Sequence, residues 1–102
     1  MIEKSTKEII QINDQGVLLA NEGKFEEGIK LLRKAVQNLP GNILVITNLC
    51  GMLIGQMTQS GKDDRMIYEA RELLDRVRKI DPANKKLTSY TKLLSQIASG
   101  TA

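Results

Sequence analysis

A chain of 102 residues with a net charge of +3 supports one small core, and with Phe25, Tyr68 and Tyr90 as its only aromatics that core must be aliphatic. Histidine is absent, which removes the commonest general base and the commonest metal ligand. The single cysteine, Cys50, excludes an intramolecular disulfide and a thiolate zinc site, and fits a reducing, cytoplasmic setting.

Periodicity predicts five helices and no strand. The first runs from Thr6 to Asn21, with Ser5 and Glu8 spaced for a capping box and Gly23 as its stop. The second, Phe25 to Asn38, puts Phe25, Ile29, Leu32 and Val36 on one face, with Leu39 following. Pro40-Gly41 breaks it, and Asn42 can cap a third helix from Ile43 to Thr58. Ile43–Met57 is uncharged, yet it is shorter than the ~20 apolar residues that span a bilayer. Thr47, Asn48 and Gln56 interrupt it, so a doubly buried helix is expected and no membrane. After a loop at Gln59–Lys62, Asp63 or Asp64 opens a fourth helix that reaches Ile80. Glu72 and Arg76, and Asp75 and Lys79, have the spacing of helix-surface pairs. Asp81-Pro82 reads as a cap followed by a first-turn proline. It opens a fifth helix to Ala98, striped by Leu87, Tyr90, Leu94 and Ile97, and residues 99–102 are expected to fray. The segment Met-Ile-Glu-Lys-Ser-Thr-Lys-Glu at the N-terminus has no signal-peptide apolar core.

One phrase recurs. Gly-Lys-Phe-Glu-Glu-Gly-Ile-Lys-Leu-Leu-Arg-Lys-Ala-Val-Gln-Asn-Leu-Pro at 23–40 returns at 67–82 as Ile-Tyr-Glu-Ala-Arg-Glu-Leu-Leu-Asp-Arg-Val-Arg-Lys-Ile-Asp-Pro. Gly28 and Ala70 hold the same small slot, and Leu32 and Leu74 follow four residues later. Gly16 and Cys50 supply the facing small residues of two close helix crossings. These residues resemble the second helix of a tetratricopeptide repeat (TPR), with Ile46, Leu49, Cys50 and Leu53 matching the first helix better than Ile12, Gln15, Gly16 and Leu19 do. The two prolines lie 42 residues apart, eight more than the 34 of that family. The resemblance implies an all-α fold of antiparallel helix hairpins stacked as a short array. Its repeats would be 6–40 and 42–82, the second with a lengthened inter-helix loop, and residues 83–98 would form a capping helix. A weaker resemblance, carried by residues 58–84, is to the C-terminal TPR region of bacterial response regulators. It implies, as an alternative, an output or regulatory domain excised from such a signal-transduction protein.

The TPR resemblance implies a non-catalytic scaffold with no cofactor, whose first helices line a groove for a protein or peptide partner. By period, that groove presents Ile10, Asn13, Val17 and Ala20, then Leu44, Thr47, Gly51 and Ile54, with Asn48, Lys86, Ser89 and Tyr90 contributing. Asn48 and Lys86 fall at slots like parts of the carboxylate-gripping clamp of some family members, whereas Val17 and Tyr90 stand where the clamp would need polar groups. An apolar or amphipathic helix suits the groove better. Residues 42–102 hold nine Lys/Arg against six Asp/Glu, but the charges interleave and aromatics are scarce, so no nucleic acid is expected. Asp63-Asp64 reads as helix capping, not metal binding. Gly51-x-x-x-Gly55 on an apolar helix offers room for a neighbour, and a homodimer through that face is expected when no other partner is present.

Overall fold

Ser5 begins the first helix as the sequence predicts. Its hydroxyl accepts from the Glu8 backbone N–H at 3.2 Å while Glu8 Oε1 accepts from the Ser5 N–H at 3.4 Å. The chain then forms α1 (Thr6–Asn21), α2 (Phe25–Asn38), α3 (Ile43–Ser60), α4 (Asp64–Ile80) and α5 (Lys85–Ser99). The computed structural model describes residues 5–100, and among these no strand occurs. Asn42 Oδ1 caps α3 by accepting from the Val45 N–H at 3.2 Å, and Asp63 caps α4 through the Met66 N–H at 3.0 Å. Gly23, at φ +83, makes the turn out of α1, a conformation that glycine adopts without a Cβ penalty.

Three predicted boundaries move. α3 runs on to Ser60, two residues past the expected Thr58. α5 does not start at Asp81-Pro82: Asp81 ends α4, and Asn84 is the cap, its Oδ1 accepting from the Lys86 N–H at 2.9 Å. Asn84 also donates to Asp81 Oδ2 at 3.3 Å, so the Asp-Pro pair shapes the turn while the asparagine two residues later opens the helix. At the far end, Ser99 is helical and Gly100 takes the left-handed C-cap. Thr101 and Ala102 of the expected frayed tail lie outside the described residues, as do Met1 to Lys4.

The helices form an all-α array of antiparallel hairpins. α1 packs on α2, α3 on α4, and α2 joins the two hairpins by packing on α3. α5 lies against both α3 and α4. α3 is therefore the only helix that touches all four others, which explains its unusual apolarity. Its 18 residues are long and apolar enough to cross a membrane. Val45, Ile46, Cys50 and Leu53, however, are wholly enclosed by the other helices. Burying a Leu, Ile or Val of this kind contributes about 1.5–3 kcal/mol.

The small-residue slots lie where the hairpins cross. A Cβ added to Gly28 would stand 2.7 Å from the Gly16 carbonyl oxygen, so the α1 and α2 backbones meet there. In the second hairpin Cys50 Sγ lies 3.9 Å from the Ala70 carbonyl, with both residues fully buried. The eight-residue surplus of the second hairpin is not in a longer loop. Glu22–Lys24 and Gly61–Asp63 are both three-residue connections. Instead α3 continues ten residues past Cys50 where α1 continues five past Gly16, and α4 begins six before Ala70 where α2 begins three before Gly28. The second hairpin therefore projects beyond the first, and α5 braces its tip, where Lys62 Nζ donates to the Ala98 carbonyl at 3.2 Å.

Charged groups stitch the other side of the array. Arg33 on α2 holds Glu69 on α4 through two bonds of 2.8 and 3.0 Å. Glu72 pairs with Arg76 as its spacing predicts, at 3.1 Å, but Asp75 takes Arg78 rather than Lys79.

Candidate binding channel over α3

α1 and α5 both rest on α3 and do not touch each other. Between them one strip of α3 stays open: Leu44, Asn48, Gly51, Gly55 and Gln59, spaced three or four residues apart along one face. Glycine stands at two of those five positions. α1 supplies one wall, with Ile10 and Val17 half-buried, and α5 supplies the other, with Tyr90 half-buried and Leu93 43% exposed.

The predicted groove residues divide into two sets. Ile10, Val17, Leu44, Asn48, Gly51 and Lys86 keep accessible surface around the channel, Leu44 being 47% exposed. Ala20 is half-buried on α1, and Ser89 is exposed on α5. Asn13, Thr47 and Ile54 instead lie within the seams, at 2%, 3% and 5% exposure. Thr47 Oγ1 donates to the Ile43 carbonyl of its own helix at 2.8 Å, which lets the hydroxyl be buried. Asn13 is satisfied by Asn48, whose Nδ2 donates to Asn13 Oδ1 at 3.0 Å, and by Asp14, whose Oδ1 accepts from Asn13 Nδ2 at 3.2 Å. This asparagine pair pins α1 to α3 and ties the Asn48 amide to the wall. A buried polar pair of this sort holds the register of the packed helices, because slipping it leaves both amides unsatisfied.

The glycine pair is occupied by the chain itself. A Cβ on Gly51 would meet the Tyr90 hydroxyl at 2.7 Å, and one on Gly55 would meet the Phe25 ring at 2.8 Å. The room expected to admit a second chain is thus taken by two aromatic side chains, from α5 and from the start of α2, and the apolar excess of α3 is covered by four helices. That removes the sequence-based reason for a dimer through this face. Burial raises the Tyr90 phenol, helped by neighbouring Cys50, so the ring presents a neutral hydroxyl to the channel.

Four channel residues, Leu93, Phe25, Gly55 and Gln59, were absent from the expected set. Leu93 stands three residues past Tyr90, a signal legible in the sequence. Phe25 and Gly55 meet only because the hairpins stack, which no local pattern encodes. Elsewhere, burial pushes the Cys50 thiol up to about 12, so it stays protonated and unreactive at neutral pH. No cluster of three or more Cys, Asp or Glu among the described residues is placed to hold a metal ion. No known family model, curated protein or solved structure matches the chain.

Proposed function

We propose that the chain is a TPR-like, non-catalytic protein–protein interaction module that binds an apolar or amphipathic helical segment along α3. One observation carries the reading: α1 and α5 flank α3 without meeting, and between them Val17, Leu44, Asn48, Tyr90 and Leu93 keep accessible surface. A strip whose glycine positions are filled by the Tyr90 and Phe25 rings, with Val17, Leu44 and Leu93 beside them, offers an apolar surface that fits a helix presenting residues at i, i+3, i+4 and i+7. From Leu44 to Gln59 the strip extends roughly 22 Å at 1.5 Å per residue, the length of about four helical turns. The chemistry of the chain agrees, since histidine is absent and the one thiol is held protonated.

The test uses the ¹⁵N-labelled chain and a neutral amphipathic peptide with a leucine stripe on a glutamine background. Amide shifts are expected to cluster between Leu44 and Gly55 and around Tyr90. Val17→Glu with Leu44→Glu is expected to abolish those shifts while leaving the chain helical, with a lower denaturation midpoint because Val17 packs against the core. Ile54→Glu is a core control that unfolds the chain. Shifts that persist in the Val17/Leu44 variant would move binding to another surface and end this reading.

A further inference from the structure

One end of the channel carries a charge arrangement that harms the fold and has no partner within it. α5 begins Lys85-Lys86, with no acid in its first turn. The first turn of a helix presents unpaired N–H groups and the positive end of the macrodipole, so cations there are destabilising. Lys7 and Arg65 also stand in first turns, of α1 and α4, but each of those helices adds an acid there. α1 has Glu8, α2 has Glu26 and Glu27, and α4 has Asp64 in the first turn, while α3 has no charge there. Among the described residues neither Lys85 nor Lys86 pairs with a carboxylate. A residue that breaks a local stability rule without compensation points to a role outside folding.

The two lysines stand beside the channel floor. Together with Leu44 and Ile43 they line an open depression of about 480 Å³, which Asp81 also borders. The Asp81 carboxylate already accepts from Asn84, and it leaves the depression with an excess of positive charge. At the opposite end of α3, near Gln59, the surface carries Glu26 and Glu27 beside Lys24. The Leu44 end is therefore basic, while at the Gln59 end Glu26 and Glu27 are balanced by Lys24 and by Lys62 at the tip of α3.

We infer that the segment bound along α3 carries acidic side chains at the end that lies over Leu44, where Lys85 and Lys86 receive them. This rests on the channel reading above. The apolar floor supplies contact area, while the lysines set which end of the partner lies where, as charge complementarity commonly does. An acidic stretch at the other end would meet Glu26 and Glu27 together with Lys24 and Lys62 and gain nothing net, so the lysine pair beside Leu44 gives the channel its polarity.

Three acetylated, amidated peptides with one leucine stripe separate the outcomes: one neutral, one with glutamates across its first half, one with lysines there. Blocked ends keep terminal charges out of the comparison. The glutamate peptide is expected to bind about tenfold more tightly than the neutral one at low salt, as two partly exposed charge pairs allow. Lys85→Gln with Lys86→Gln is expected to bring the glutamate peptide to the affinity that the neutral peptide has for the same variant, and to raise the denaturation midpoint. A glutamate peptide that binds no better than the neutral one overturns the inference, as does an advantage that survives the double substitution. Tightest binding by the lysine peptide also overturns it. If neither neutral nor acidic peptide shifts the channel amides, the channel reading itself fails. Self-association through this face, seen by sedimentation and lost in the same variant, would put a second copy in the channel and also overturn the inference.

Discussion

Gly28 and Gly51 show why the same residue type has different consequences at two places. A methyl on Gly28 would collide with the Gly16 carbonyl at 2.7 Å, and backbone at a buried crossing has nowhere to go. On Gly51 the obstacle is the Tyr90 hydroxyl at the same distance, the far end of a half-exposed side chain that can swing outward. Replacing a helical glycine by alanine gains about 1 kcal/mol of propensity, while overpacking costs about 1–3 kcal/mol. Gly28→Ala is therefore expected to lower stability, and Gly51→Ala to leave it within about 0.5 kcal/mol while shifting the Tyr90 ring resonances. Urea denaturation of both variants checks this, and a destabilised Gly51→Ala would show that Tyr90 is locked in place. Cys50 gives a pH prediction. Its unfolded thiol ionises above the ordinary value of 9.0, but the folded thiol does so only near 12. The unfolded state thus loses its proton first, and stability falls as pH rises from 9 toward 12. Tyr90, also raised, adds to the same decline. Cys50→Ala should flatten the decline without removing it, and equal slopes for the two chains would contradict the burial of the thiol.

At the scale of elements, most boundaries were legible because local chemistry sets them. Ser5 with Glu8, Asn42 and Asp63 each cap the helix that the sequence assigns to them. The start of α5 was misread because Asp-Pro satisfies the rule for a helix opening just as Asn84 does. The choice between them depends on how the turn after α4 closes, with the Asn84 N–H donating to the Asp81 carbonyl at 3.0 Å. Asn84→Ala is accordingly expected to cost about 1 kcal/mol. Pro82→Ala should change stability by less than about 0.5 kcal/mol, as at an ordinary surface site. Thermal or urea unfolding of the two variants compares them, and the reverse order would restore Pro82 as the helix start. The extra length of the second hairpin was expected in the loop and helix ends around Met57–Met66, and the helix ends alone carry it. Spacing between prolines reports a surplus without saying whether it is coil or helix, and continuous apolarity through Met57 hid where α3 stops. Of the expected channel residues, period alone could not separate Leu44 from Thr47 or Ile54. Thr47 and Ile54 stand three and four residues from Cys50, which meets Ala70 of α4, and are buried, whereas Leu44 stays 47% exposed.

At the scale of the whole molecule, four helices share the work of covering α3, and the remaining strip is the one surface the fold leaves between its inner helices. The array explains both the apolarity of α3 and the failure of its glycine pair to demand a second chain. Each glycine is covered by an aromatic ring of the same chain. Isolated exposed side chains such as Leu18 and Tyr68, at 62% and 73%, lie on other faces and form no comparable strip. The central claim is that a helical segment seats between α1 and α5, and isotope-filtered NOEs in the complex with the acidic amphipathic peptide test it most directly. Contacts from the peptide's leucine methyls to Val17, Leu44, Tyr90 and Leu93 are the predicted result. Contacts to Leu18 or Tyr68, with none to Leu44 and Tyr90, would contradict it.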